Sequence, residues 1–322
     1  MTARAAWVRE APLWSKESYS STRDIRVHFA TNRNHEGPVL ATEMSYGEVQ
    51  ITVPETHPVG SIAENYSRGP TRSLNLEELK AQLARDQDWG ALVFIHGFNV
   101  DFNEALLRAA QIAYDLKFQG TVLLVSWPAG KNGGFFEKNL INRTYEMNQR
   151  NARESIDSFA TFFKELTRIP IPFQFLIHSM GHQIALPALG KVAPELETPF
   201  MQELILNAPD FDPAEFEALL GNLKKISRRI TLYCSQKDNA MLASKAFNGR
   251  KRLGACSRHE GVDVINVSEV DEPGLTGLGH GYYASRPVLT DMAQALLGID
   301  AERRLFIRKP ANPANEHYYL RR

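Results

Sequence analysis

The chain has 322 residues, 43% of them hydrophobic and 23% charged, with 37 basic side chains against 37 acidic ones and a pI of about 7.1. Such a composition suits a soluble globular protein whose core needs no metal or disulfide staple. Zero net charge argues against nucleic acid or an anionic membrane as partner, and no stretch approaches the ~18 apolar residues of a membrane span.

Residues 1–20 read as an N-terminal extension without the continuous apolar segment of a signal peptide. Within 21–60, "DIRVHFAT" (24–31) and "GEVQITVP" (47–54) alternate apolar and polar residues and predict a strand pair joined to the main sheet. Residues 61–79 continue a Pro-, Gly- and Ser-rich passage that reads as a linker. Residues 80–299 then carry the core. Short, nearly continuous apolar runs recur in "ALVFIHG" (91–97), "TVLLVSW" (121–127), "FQFLIHS" (173–179), "ELILNAP" (203–209), "ITLYCS" (230–235) and "VDVINVS" (262–268). Such runs suit parallel strands covered on both faces. Helical patterns alternate with them, among them "NEALLRAAQIAYDL", "ESIDSFATFFKEL", "HQIALPALGKV" with Pro187 straining its middle, and "RPVLTDMAQALLG". Alternating βα units predict a doubly wound, mostly parallel sheet with helices on both faces. The tail, 300–322, ends in "FIRKPANPANEHYYLRR" and reads as an extended arm. With the N-terminal extension it is a candidate surface for homo-oligomer formation. The charge runs "KKISRR" and "RKRLG" read as solvated surface.

Two cysteines, Cys234 and Cys256, do not make a disulfide framework, so a reducing, cytoplasmic setting is expected. Cys234 sits inside "ITLYCS" and reads as core.

In a sheet of this kind chemistry gathers at the carboxyl ends of the strands. That rule selects "HGFN" (96–99), "SWPAG" (126–130), "HSMGH" (178–182), "NAPDFD" (207–212), "SQKDN" (235–239) and "GLGHGYY" (277–283). "IHSMG" is a variant of the strand–turn–helix motif G-x-S-x-G, with Ile177 at the first glycine. Ser179 is therefore the candidate nucleophile. A serine needs a base, and the base needs an acid to hold its tautomer. In chain order Asp238 is the preferred acid, Asp210 the alternative, and His280 the base. The candidate oxyanion donors are the Met180 and Phe98 N–H groups. Of the other histidines, His28, His35, His57, His259 and His317 are expected on the surface, and His96 and His178 to orient backbone. His178 and His182 are four apart but not on one helix, so no metal and no cofactor is expected. "GKNGG" (130–134) lacks the P-loop spacing. Phe98, Phe102, Trp127, Phe135, Phe136, Tyr282 and Tyr283, with His182, are candidates to line a pocket, and each aromatic is as readily ordinary core.

The stretches "VFIHGFNVDFNEALLRAAQIAYDL", "VLLVSWPAG", "LIHSMGHQIALPAL", "LILNAPDFD", "ITLYCSQKDNAMLASKAFNG" and "GHGYY", with "FATNR" and "YGEVQITVPETHPVG" upstream, carry a further signal. In that combination, across residues 24–297, the chain resembles the bacterial α/β-hydrolases catalogued as the nine-hundredth domain of unknown function. The resemblance implies an esterase- or lipase-like serine hydrolase with Ser179, Asp238 and His280 as its triad, and names no substrate. His182, where the family often has asparagine, and residues 131–144 depart from the family's pattern near the expected pocket. The expected substrate is a small-molecule ester with a hydrophobic acyl or aromatic group. The rival readings are an amidase or thioesterase using the same triad, and an inactive hydrolase fold serving as a binding module.

Overall fold

In a computed structural model the described residues are 24–34, 37–54, 57–62, 65–85, 88–130, 138–271, 280–309 and 317–321. They form β1 (Asp24–Arg33), β2 (Leu40–Thr52), β3 (Ser67–Leu74), α1 (Leu76–Leu83), β4 (Ala91–Ile95), α2 (Phe102–Asp115), β5 (Thr121–Ser126), α3 (Lys138–Leu166) and β6 (Phe173–His178). The chain continues through α4 (His182–Val192), β7 (Met201–Asn207), α5 (Pro213–Ile226), β8 (Ser227–Cys234), α6 (Asn239–Asn248), β9 (Asp263–Asn266), α7 (Arg286–Leu296), β10 (Ile307–Arg308) and β11 (Tyr318–Leu320).

All strands join one twisted sheet in the order β10-β11-β9-β8-β7-β6-β4-β5-β1-β2-β3. The strands from β1 to β9 in that sheet run parallel, whereas β1–β2, β2–β3 and β10–β11 pair antiparallel. This is the doubly wound α/β-hydrolase arrangement. Strand alternation divides the core cleanly. In β4, Leu92 and Phe94 pack with α2 and α7 on one face, while Ala91, Val93 and Ile95 pack with α3, α4 and α5 on the other.

The structure departs from the sequence reading in four places outside the site, the last being the pairing of the two cysteines. Residues 67–79, expected in a linker, form β3 and the first half of α1. Asn75 opens α1 through a reciprocal capping box with Glu78, and Leu79 and Leu83 anchor it in the core. The tail, expected as a free arm, adds β10 and β11, the latter pairing with β9. His28, His57 and His259, expected on the surface, are largely buried beside Glu48, Asp115 and Glu217 respectively. No described helix is long and apolar enough to cross a membrane.

The two cysteines are joined. The exit from β8 and the return of the chain after α6 bring the Cα atoms of Cys234 and Cys256 to 5.3 Å, and a disulfide links them across 22 residues. Cys234 is nevertheless core, as its apolar run indicates.

Three histidines sit at the carboxyl end of the sheet, His96 and His182 fully buried and His178 half-buried. Burial is the main cause that holds His96 and His178 well below the ordinary histidine pKa and lowers His182 to about 3. In the unfolded chain each imidazole binds its proton below about pH 6.5, whereas in the fold it does so only at much lower pH. Stability is therefore full above 6.5 and is lost on acidification, by about 2 kcal/mol for His182 at pH 5. Melting temperatures measured between pH 7.5 and 5 should fall steeply, and His182→Asn should flatten that slope. Cys256→Ser should lower the unfolding free energy by about 3 kcal/mol in denaturant titrations, and thiol titration of the unfolded, unreduced wild type should find no free cysteine.

Candidate active site

β6 delivers Ser179 into a left-handed backbone conformation, φ +52°, where only close packing can hold a non-glycine residue. Two glycines permit that packing. A Cβ at Gly97 would stand 2.8 Å from Ser179 Cβ, and one at Gly181 would stand 2.6 Å from the His96 carbonyl oxygen. Ile177, by contrast, occupies the position where the motif usually has glycine without conflict. It pairs with Ile95 and Leu206 and is fully buried in the core. The Ser179 carbonyl is gripped from two sides, by the His182 Nδ1–H at 2.6 Å and the Asp210 N–H at 3.3 Å.

Ser179 Oγ lies 2.7 Å from His280 Nε2, and His280 Nδ1 lies 2.8 Å from Asp238 Oδ2. Asp238 is buried, and its carboxylate is shared between two tasks. Oδ2 takes the imidazole, while Oδ1 caps α6 by accepting the Ala240 and Met241 N–H groups at 3.0 and 3.1 Å. A hydroxyl, an imidazole and a carboxylate in one hydrogen-bonded line can move a proton from oxygen to nitrogen with the tautomer fixed.

Asp210 stands apart from this line. Its side chain accepts from Arg252 Nε at 2.6 Å, Ser244 Oγ at 2.5 Å and Tyr145 OH at 2.9 Å. It thereby ties the end of β7 to α3 and α6. The alternative acid is engaged by other partners.

The loop 96–100 is held by a residue the sequence reading missed. Arg33, buried at the end of β1, donates to Ser126 Oγ at 2.8 Å, to the Ala129 carbonyl at 2.6 Å and to the Val100 carbonyl at 2.7 Å. Its Nη2 also reaches His96 Nε2 at 3.1 Å. Burial lowers the Arg33 pKa to about 9, which leaves it a cation at neutral pH. His96 Nε2 accepts from Arg33 when its Nδ1–H donates to the Gly97 carbonyl, 3.0 Å away. Asn148 of α3 completes the support, since its Oδ1 accepts the Asn99 and Gly130 N–H groups, both at 3.2 Å. A buried arginine in the otherwise alternating "FATNR" strand was the available signal. Asn148, a buried polar residue of a long helix, left none.

A cavity of about 480 Å³ opens over Ser179 and His280. Phe98 and Tyr283 line it, as expected, together with His178. The His178 ring stacks on Tyr283 at 4.0 Å and approaches the His280 ring at 4.9 Å. Four other expected lining residues are corrections. Trp127 is fully buried, with its Nε1–H donating to the His96 carbonyl at 2.8 Å. Phe102 packs edge-on against Phe29 inside the core. Tyr282 donates to the Tyr233 carbonyl at 3.2 Å within the same core. His182 lies under the serine turn, not in the pocket wall. In each case the side chain supports the strand ends from beneath, a role that shares its residue types with a pocket lining. Phe135 and Phe136 lie outside the described residues. Met180 is fully buried in the first turn after the serine. Among the described residues no group of three or more His, Cys, Asp or Glu could hold a metal ion.

Comparison with curated proteins gives no match. The model of the family described as alpha/beta hydrolase of unknown function (DUF900) matches residues 72–299, which span β4 to α7 and every side chain of the hydroxyl–imidazole–carboxylate line. The chain thus belongs to the DUF900 family of alpha/beta hydrolases.

Proposed function

We propose that the protein is a serine carboxylesterase with Ser179, His280 and Asp238 as its catalytic triad. The observation that carries this reading is the unbroken line from Ser179 Oγ through His280 to Asp238, at 2.7 and 2.8 Å, beneath an open pocket. His280 takes the Ser179 proton as Oγ attacks the ester carbonyl, then gives it to the departing alcohol. Water, deprotonated by the same imidazole, releases the acid from the acyl-serine. Asp238 stays ionised and stabilises the imidazolium.

The N–H groups of Phe98 and Met180 are the proposed oxyanion donors. The close approach of Gly97 to Ser179 supports the first, and the place of Met180 in the turn after the nucleophile supports the second. Phe98, Met241 and Phe247 give the cavity an apolar wall suited to a hydrophobic acyl group, with Tyr145 stacked on Phe247 at 5.0 Å.

Probe labelling, substrate turnover and variant kinetics test this reading. A fluorophosphonate probe should label the wild type and not Ser179→Ala, and an ester chain-length panel should show turnover. Absence of labelling would favour a binding module. Ser179→Ala and His280→Ala should each lower kcat by roughly 10⁴- to 10⁶-fold. Asp238→Asn should cost about 10⁴-fold in kcat. Asp210→Asn should act mainly on stability, because it leaves the buried Arg252 unpaired at a cost of about 3 kcal/mol. The opposite order of the two aspartate variants in kcat would reverse the assignment of the acid. Arg33→Met should lower kcat by about 10²-fold with KM little changed, as the loop carrying Phe98 loses its position. Affinity for a trifluoromethyl ketone, which forms an oxyanion on the serine, should fall in parallel.

A further inference from the structure

We propose that the pocket selects an ester carrying a carboxylate, and that Arg108 is the residue that recognises it. This inference rests on the esterase reading and names its substrate class.

The two walls of the cavity come from opposite faces of the sheet. Tyr145 and Phe98 belong to the side packed by α3, α4 and α5. Arg108 of α2 and Tyr283 belong to the other side, beside Gly60, Ser61 and Ile62 of the β2–β3 connection. One nitrogen of Arg108 has a structural task. Nη1 donates to the Gly60 carbonyl at 2.7 Å and to Gln111 Oε1 at 2.6 Å. Its other edge, Nε and Nη2, has no acceptor among the described residues, and no described carboxylate lies within ion-pair distance. That edge carries the two parallel N–H groups with which a guanidinium grips a carboxylate.

The remaining charges in the lining do not compensate it. Asp210 is already bound by Arg252, Ser244 and Tyr145. His178 is a neutral ring whose Nε2 faces the His280 carbonyl at 3.4 Å. Apart from the proposed triad, the described lining of the pocket therefore offers one uncompensated fixed charge, and it is positive. In a largely apolar cleft such a charge attracts an anion and discriminates against neutral ligands.

Position sets the spacing of the ligand. The guanidinium carbon lies 5.9 Å from the centre of the Tyr283 ring, which in turn stacks on His178, the residue before Ser179. A spacer several bonds long separates the carboxylate from the scissile carbonyl, as in a half-ester of a short dicarboxylic acid or an ester of a hydroxy acid. The acyl transfer is unchanged. Ser179 Oγ bonds to the carbonyl carbon, the C–O bond to the alcohol breaks, and Arg108 keeps its proton throughout.

The test compares 4-nitrophenyl butyrate with 4-nitrophenyl hemiglutarate, whose acid is on the acyl side. A third substrate, the butyrate ester of 3-hydroxy-4-nitrobenzoate, carries its acid on the leaving group. For at least one acidic ester, Arg108→Gln should lower the ratio of acidic to neutral kcat/KM by about 10- to 100-fold, chiefly through KM. Arg108→Lys, which keeps the charge without the fork, should restore part of it. The arm that responds tells which side of the ester carries the acid. An unchanged ratio for both acidic esters overturns the inference while leaving the esterase reading intact. Binding to Ser179→Ala by calorimetry is independent of turnover and of whether the Arg108 variants fold. Monomethyl glutarate should bind at least tenfold more tightly than methyl pentanoate, and equal affinities overturn the proposal. Preferential binding of the acid with no fluorophosphonate labelling of the wild type would keep the anion site and remove the esterase reading.

Discussion

A serine held at φ +52° is the constraint on which this site depends. An L-residue in the left-handed region costs roughly 1–2 kcal/mol, so the surroundings must over-determine it. They do so with backbone and side-chain contacts from three strand ends and the start of α4. Gly97 and the His96 carbonyl from β4 press against the turn, His182 and the Asp210 N–H hold the Ser179 carbonyl, and Ile177 locks the strand between β4 and β7. The same contacts explain residues that otherwise look displaced from the motif. His182 serves the turn through its Nδ1–H, and Ile177 serves the sheet.

The second organising element is the pair of buried or capped charges around that turn. Arg33 gathers the ends of β1, β4 and β5 onto one guanidinium, through a hydroxyl, two carbonyls and an imidazole. Asp238 joins the entrance of α6 to His280 with the two oxygens of one carboxylate. The Cys234–Cys256 disulfide closes the segment that contains both Asp238 and α6, which limits how far the acid can drift from the base. Rigid supports beneath a reactive group are what preorganised catalysis requires, because displacement by an ångström costs far more than a lost contact.

The pocket divides its labour by face. One wall is apolar and aromatic, and the other carries a guanidinium beside a stacked tyrosine and histidine. An architecture whose loops converge from both faces of a sheet on one edge makes this division natural. Each wall can vary without disturbing the strand ends that hold the serine.

The parallel sheet and the residues that meet over Ser179 were legible in the chain, because both follow from local rules. Continuous apolar runs mark strands buried on two faces, and the carboxyl end of such strands is where polar residues gather. The order serine, acid, histidine then pointed to Ser179 and His280 with Asp238 preferred over Asp210 as the acid, and the structure brings Ser179, His280 and Asp238 into one line. Strand β3, helix α1 and the two terminal strands were not legible, since a Pro- and Gly-rich passage or a polar tail becomes a strand only when a neighbouring edge supplies hydrogen bonds. Nor could local pattern separate Phe98 and Tyr283, which line the pocket, from Trp127, Phe102 and Tyr282, which lie beneath it. Sequence by itself determined which residue types arrive at the edge of the sheet. Only the tertiary structure decided which of them face the cavity, which aspartate meets the histidine and which is neutralised by Arg252, because those choices depend on contacts between segments up to a hundred residues apart.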